Sequence, residues 1–369
     1  MHIDAITIND PVFVRKEQKN AIDRFFLKLI RDERDLPFIY LSLRILFITV
    51  PIAILLYVPG FFSWYIAVPY LVANSLFNLG PFVLMLHNVS HRKLFKKEYE
   101  WMNQIIPWVI GPFFGESPET YYSHHVGMHH PENNLGNDLS STMRFQRDSL
   151  IDFMRYFLRF FFFVLIEITE YFRRRRRWEF LRNTLIGEFS FYAFCALLCL
   201  VSWKATLAVF ILPYLIIRFA MMAGNWGQHA FIDAADPGNS YKNSITCINS
   251  VYNKTCFNDG YHIGHHLRPA LHWTELPKDF QKHKAEYAAN RAIVFEGLDF
   301  FVIWFLLMTK NYKALAKKFV HLDDRLKTEA EVIAFLKERT RRIPKDVIEH
   351  FSTQAMLGNT RRTRQPVVG

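Results

Sequence analysis

Apolar stretches long enough to cross a membrane alternate along this chain with polar, charged ones. A helix needs about 20 apolar residues to span the hydrocarbon of a bilayer. Four stretches qualify, at residues 38–58, 62–86, 185–203 and 205–224. Pro59-Gly60 separates the first two, and the last two almost touch. Each pair therefore predicts a helical hairpin that enters and leaves by the same face. Arg44 lies near one end of the first span, where it can snorkel. Asn74 and Asn78 sit inside the second and predict hydrogen bonds to a neighbouring helix.

Residues 150–172 are very apolar but carry Arg155, Arg159, Glu167 and Glu170. If this segment spanned, Arg173–Arg177 would cross to the other face and the two hairpins would open on opposite sides. An interfacial helix keeps the arginine run on the face of the N-terminus and the polar segments, as the positive-inside bias favours. The run then reads as a membrane-surface anchor. The patch at 105–114, with Gly111 and Pro112, is too short to cross and lies on or dips into the interface. The sequons at Asn88 and Asn253 fall on the inferred cytosolic face, so neither is expected to carry glycan.

The pattern predicts an all-α integral membrane protein: two transmembrane hairpins (four spans) with a cytosolic helical cap holding the chemistry. Its expected parts are a cytosolic segment at 1–37, the membrane domain at 38–309, and a charged helical region with a basic tail at 310–369.

Composition agrees with a few spans carrying a large polar part. Hydrophobic residues make up 51% and aromatics 16%, with 36 Phe, yet mean hydropathy is only +0.02. A net charge of +11 suits nucleic acid or an anionic membrane surface equally. The spans decide for the membrane, and no nucleic acid partner is expected. Cys195 and Cys199 lie in an apolar run, and Cys247 and Cys256 lack CxxC spacing, so a reducing compartment is the simpler reading. The first residues, MHIDAITINDPVFVRKEQ, show no apolar signal core.

The informative residues are histidines on that one face. HNVSH places His87 and His91 just after the second span, and HVGMHH places His125, His129 and His130 in the next polar segment. NWGQH places Asn225 and His229 just after the fourth span, and HIGHH places His262, His265 and His266 in the C-terminal polar part. Residues four apart share a helix face, so His87 with His91, His125 with His129, and Asn225 with His229 can each aim at one centre. Adjacent residues such as His129 and His130 diverge by about 100° and suit two neighbouring metals better than one. Nine histidines overfill a single site. Imidazole alone does not choose among Zn, Fe, Cu and Ni. The chain lacks HExxH, against a zincin-type protease, and lacks any ExxH, against a carboxylate di-iron bundle.

These boxes, in this order between two hairpins, resemble the membrane fatty acid desaturase and hydroxylase superfamily over about residues 38–273. The resemblance implies two iron ions held by His87, His91, His125, His129, His130, His229, His262, His265 and His266, with Asn225 as an outer ligand. Many desaturases have HxxHH in the second box where this chain has HxxxHH. That longer form, with HxxxH in the first box, also looks like membrane alkane hydroxylases. NDGYHIGHHLRPALHW resembles the third box of acyl desaturases better.

An aliphatic C–H bond yields to activated oxygen, hence to a redox metal with O2 and two delivered electrons. The expected reaction is O2-dependent desaturation of a long-chain acyl group in a lipid or thioester. The rival is hydroxylation of alkanes, fatty acids or carotenoids, or oxidative decarboxylation to an alkene. A zinc-dependent membrane hydrolase or metal-handling protein is the alternative of another kind. No HPGG haem motif or Cys-rich iron–sulfur pattern is present, so an external donor protein supplies the electrons. Arg155, Arg159 and Arg173–Arg177 could hold a substrate phosphate, though membrane anchoring explains them at least as well. Asp259, Asp233, Asp138 and Glu132 are the nearby acids that could partner a ligating imidazole; each alone reads as a cap or loop charge, and Asp259, three residues before His262, is the best candidate. His124 and His272 read as polar-loop residues, and His2, His283, His321 and His350 as surface residues. The expected location is the endoplasmic reticulum if eukaryotic and the inner membrane if bacterial, with the active site facing the cytosol.

Overall fold

The computed structural model describes residues 6–352. The basic tail GNTRRTRQPVVG and His2 lie outside them. Three helical runs are long and apolar enough to cross a membrane: Glu33–Leu55, Trp64–His91 and Trp178–Gln228. Phe47, Ile48, Leu76, Phe77, Leu200 and Val201 on these runs point outward, as apolar side chains do where hydrocarbon is the solvent. The first run contains α1 (Leu36–Arg44), and the second contains α2 (Trp64–Ala73) and α3 (Leu79–His91). Asn74 donates to the Phe113 carbonyl, and Asn78 donates to Thr49 of the first run.

The third run doubles back. Ser202 leaves helical geometry (φ −157, ψ 97) within Trp178–Thr206. Beyond it, Phe194 meets Phe210 at 5.2 Å, Phe191 meets Tyr214 at 5.6 Å, and Glu188 binds Arg218 at 2.7 Å. Partners that move apart in sequence at each step define an antiparallel pair.

Five widened turns interrupt the helices: Ile45–Thr49, Asn74–Asn78, Ile106–Ile110, His125–His129 and Leu207–Ile211. Proline follows each within three residues, at Pro51, Pro81, Pro112, Pro131 and Pro213. Proline lacks an amide hydrogen and its ring displaces the carbonyl four residues back. That carbonyl (Phe47, Phe77, Trp108, Gly127 or Val209) lies inside the widened turn every time. The turn relaxes to i→i+5 bonding, a π-turn.

Two segments fill the space between the spans and the polar part. The dip at 106–114 stacks Phe114 on Phe82 with ring centres 4.2 Å apart. It ends at Gly115, where a β-carbon would fall 2.0 Å from the Tyr214 nitrogen. The long helix Leu150–Arg174 begins on a Ser149 cap. It buries Phe153, Tyr156, Phe160, Val164 and Ile168 while exposing Ile151, Phe162, Phe163 and Ile166. It is not among the runs apolar enough to cross.

The cap departs from the all-α expectation. Ile245–Ile248 (β1) pairs in parallel with Ile293–Glu296 (β2), Ile245 opposite Ile293. ITCI and IVFE are short, apolar and partly β-branched, and seven of these eight positions are buried, which suits a sheet enclosed on both faces. Tyr312, Leu315, Val332, Phe335 and Leu336 of the charged C-terminal region share a buried cluster with Trp226, Phe231 and Ile245. Asn253 is fully buried, its amide donating to the Cys247 carbonyl and accepting from Gly260. The folded state leaves that sequon nothing to offer a glycan.

Candidate metal centre

Local structure aims each box inward. His87 and His91 occupy the last two turns of α3 on one face. His229 follows the end of the helix Leu212–Gln228, where the backbone leaves helical geometry. His262, His265 and His266 share the short helix His262–Leu267. The cap sheet anchors that helix through Gly260, whose carbonyl accepts from Cys247 at 2.7 Å. Above it lies the N-terminal strap, where Asp10 accepts from the Tyr261 phenol at 2.6 Å.

The second box sits on the π-turn His125–His129 ahead of Pro131. An i→i+5 turn places residues five apart over one another, so His125 lies beside His130, Nε2 to Nε2 3.0 Å. This changes the sequence reading. His125 and His129 do not aim at one centre; they face different ones. The Gly127 carbonyl freed by the widened turn is served by the Arg177 guanidinium.

The nine imidazoles form two groups, His87, His91, His125, His130 and His265 in one and His129, His229, His262 and His266 in the other. Within each group the ring nitrogens lie within 4.8 Å of one another. Both adjacent pairs, His129-His130 and His265-His266, are split between the groups. In the first, His87 and His265 approach at 2.8 Å, His130 and His265 at 2.9 Å, and His91 and His125 at 3.0 Å, all Nε2 to Nε2. In the second, His262 lies 3.0 Å from His266 and 3.2 Å from His229.

Charge and hydrogen bonding show what these contacts are. His87 Nδ1 meets Asp259 at 3.0 Å, His129 Nδ1 meets Asp138 at 2.7 Å, and His229 Nδ1 meets the Asn243 carbonyl at 2.8 Å. Ionised carboxylates and carbonyls only accept, so those Nδ1 atoms carry the hydrogen and their Nε2 atoms present lone pairs. Burial first, then the charges of neighbouring histidines, hold His125, His130, His262, His265 and His266 well below the usual imidazole range. His229 is pushed down to about 3 for the same reasons. Neutral imidazoles with converging lone pairs repel unless a cation lies between them. With metal–nitrogen bonds of about 2.1 Å, neighbouring ligands are about 3.0 Å apart in an octahedron and about 3.4 Å in a tetrahedron. The observed spacings match the first. The donor sets fit two metal ions, each with fewer protein ligands than an octahedron holds.

Asp138, a candidate ranked behind Asp259, is a second such partner. It is buried and accepts from the Ser140 hydroxyl and amide and the Asn134 amide. Burial would raise its carboxyl, but His129 outweighs that and holds it down to about 2. From its place in the polar loop NNLGNDLSS, a cap or loop charge was the stronger expectation. Glu132 instead binds Tyr171 and Arg175, and Asp233 binds Arg339. Arg175 and Arg177 thus brace the second box, so those two arginines of the expected anchor turn inward. Asn225 donates to the Ser140 carbonyl and the Tyr156 hydroxyl, which fixes its amide nitrogen away from the ring groups.

His272 lies in a loop, as expected, but does not face solvent. It is buried between Asp35 at 2.9 Å and Thr274. With Asp32 these could form a third acidic–histidine group, but Asp32 is engaged by Arg34 and Arg92 and both His272 nitrogens are partnered. His283 is also held, by Asp279 and Arg268. His124 lines an apolar cavity beside the imidazoles, its Nε2 buried without a partner.

That cavity, about 360 Å³, opens on His87, His125, His129 and His262 and is walled by Val83, Phe160, Val164 and Ile168. A mostly apolar recess ending on convergent polar groups is the usual form of a small-ligand site. No curated protein and no solved structure matches the chain. The sequence model of a family described as fatty acid desaturase matches residues 62–297, more than half of the chain and a range within which all nine of these histidines fall. With imidazole boxes, membrane-length helices and that match in hand, the chain belongs to the fatty acid desaturase family and is an oxidoreductase by that membership.

Proposed function

We propose that this protein removes two hydrogens from a long-chain acyl group, in a lipid or thioester, at a pair of iron ions held by its two imidazole groups. The observation that carries the reading is two lone-pair-rich clusters side by side at the end of an apolar-walled cavity. His87, His91, His125, His130 and His265 would hold one ion and His129, His229, His262 and His266 the other, with Asn225 near the second. Iron so bound supplies the oxidising power, drawn from O2 and two electrons, that no side chain possesses.

The protein's own part is positional. Asp259, Asp138 and the Asn243 carbonyl fix ring orientation through Nδ1. Val83, Phe160, Val164 and Ile168 exclude water and hold the alkyl chain against the histidine end. Trp178–Gln228, doubled back at Ser202, counts as two spans in this reading, which makes four in all. The cap then lies on the cytosolic face, in the endoplasmic reticulum of a eukaryote or the inner membrane of a bacterium, and receives electrons from a separate donor protein. Hydroxylation is the second reading, favoured by the longer second box. Purified protein should contain about two irons per chain, and incubation with acyl lipids, O2 and a reductant should give a product two mass units lighter. Gain of an oxygen selects the hydroxylase. An active, iron-free preparation rejects both.

A further inference from the structure

The cavity has a polar wall that holding a metal does not require. Glu116, Thr120 and His124 recur at every fourth residue along it, and the last two share one face of the helix Thr120–His124. Thr120 Oγ1 and His124 Nε2 are buried with no hydrogen-bond partner. Glu116, 5% exposed, borders the same wall. Its neighbours are the Tyr121 amide and the charge of Arg218. Beyond it Arg218 binds Glu188 at 2.7 Å, and Glu188 also accepts from Ser117 at 2.6 Å and from Tyr192 at 2.5 Å. That ion pair is internally neutral and its carboxylate is fully used. Burial raises the Glu116 carboxyl to about 8, so at neutral pH it is an uncharged donor.

A plain hydrocarbon lying in this cavity would leave two polar groups, Thr120 Oγ1 and His124 Nε2, buried and unanswered. An anionic group would meet an arginine already neutralised and a saturated carboxylate beside it. We infer that the lipid accepted here carries an uncharged hydrogen-bonding group, a hydroxyl or an amide, seated against Thr120, His124 and Glu116 while the carbons to be oxidised face the imidazoles. The inference rests on the proposed function for the reaction and adds the substrate class.

The test uses full-length protein in detergent micelles and four probes of one chain length: octadecane, octadecanol, octadecanamide and octadecanoate. Apparent affinities come from the concentration dependence of the melting temperature. Octadecanol and octadecanamide should bind about tenfold or more tightly than octadecane and octadecanoate, the worth of one buried hydrogen bond. The isosteric change Thr120→Val should cut that advantage to about threefold. Equal binding of octadecanol and octadecane by the unaltered protein overturns the inference, whatever the variant does. Tightest binding by octadecanoate also overturns it and identifies a carboxylate clamp, and an unchanged preference in Thr120→Val does so for the assigned wall. Failure to oxidise any lipid would instead strike the proposed function, and the probe comparison needs no turnover.

Discussion

Asp138 and Asp259 each take the Nδ1 hydrogen of one imidazole, which leaves Nε2 as the only basic nitrogen on that ring. Their charge also makes the ring a better donor to a cation. Asp138→Asn keeps an acceptor oxygen but removes that charge, and should weaken metal retention about 10–100-fold. Metal content after graded chelator treatment measures this; retention equal to the unaltered protein would strip Asp138 of the role. His129→Ala and His265→Ala, one from each group, should each abolish turnover and leave membrane insertion intact, as read by product assay and membrane fractionation. The histidines were legible because their spacing repeats. Asp138 was legible only as one of four nearby acids, since a loop aspartate nine residues after His129 has no periodic relation to it. Glu188 and Arg218 left a plainer signal, an acid and a base inside apolar runs. Such residues in a membrane segment are costly enough to imply a partner.

At the scale of the element, the π-turn at His125–His129 sets which imidazoles meet. Its cause is Pro131, and its effect is to stack residues five apart where an α-helix would stack residues four apart. The extra residue of HxxxHH is absorbed in that wider turn. Pro131→Ala restores an amide that can bond the Gly127 carbonyl, so the turn should tighten and carry His130 away from His125. The expected result is loss of about one of two bound metals with the melting temperature unchanged or raised. Two metals retained at full occupancy would show that the turn does not depend on the proline. Hydropathy located the apolar stretches, because span length is a property of composition. The π-turns and the small sheet escaped it. The first depend on a single missing amide, the second on pairing between segments 48 residues apart, Ile245 with Ile293.

Across the whole molecule, Glu116 links folding to pH. Its carboxyl, ordinarily near 4.5, is raised to about 8 by burial, and the Glu188 charge adds to that while Arg218 and the Tyr121 amide oppose it. The folded state therefore keeps a proton that the unfolded chain has lost. The contribution is fully present below about pH 4.5 and is lost as pH rises through about 8. Melting temperature should fall over that window, and Glu116→Gln should flatten the fall. An unchanged pH profile in the variant would place the proton elsewhere. The membrane-length runs and the family were readable from sequence. The inward turn of Arg175 and Arg177 was not, because a basic run has the same composition whether it faces lipid phosphate or a buried carbonyl.

His265 belongs to one imidazole group and His262 and His266 to the other, so a single short helix late in the chain completes both. A ribosome that has made only the first two boxes has built four of the five imidazoles of one group and one of the four of the other, and finished neither. On the proposed function, a prematurely terminated chain lacking that helix would leave both imidazole groups incomplete and could complete neither metal site.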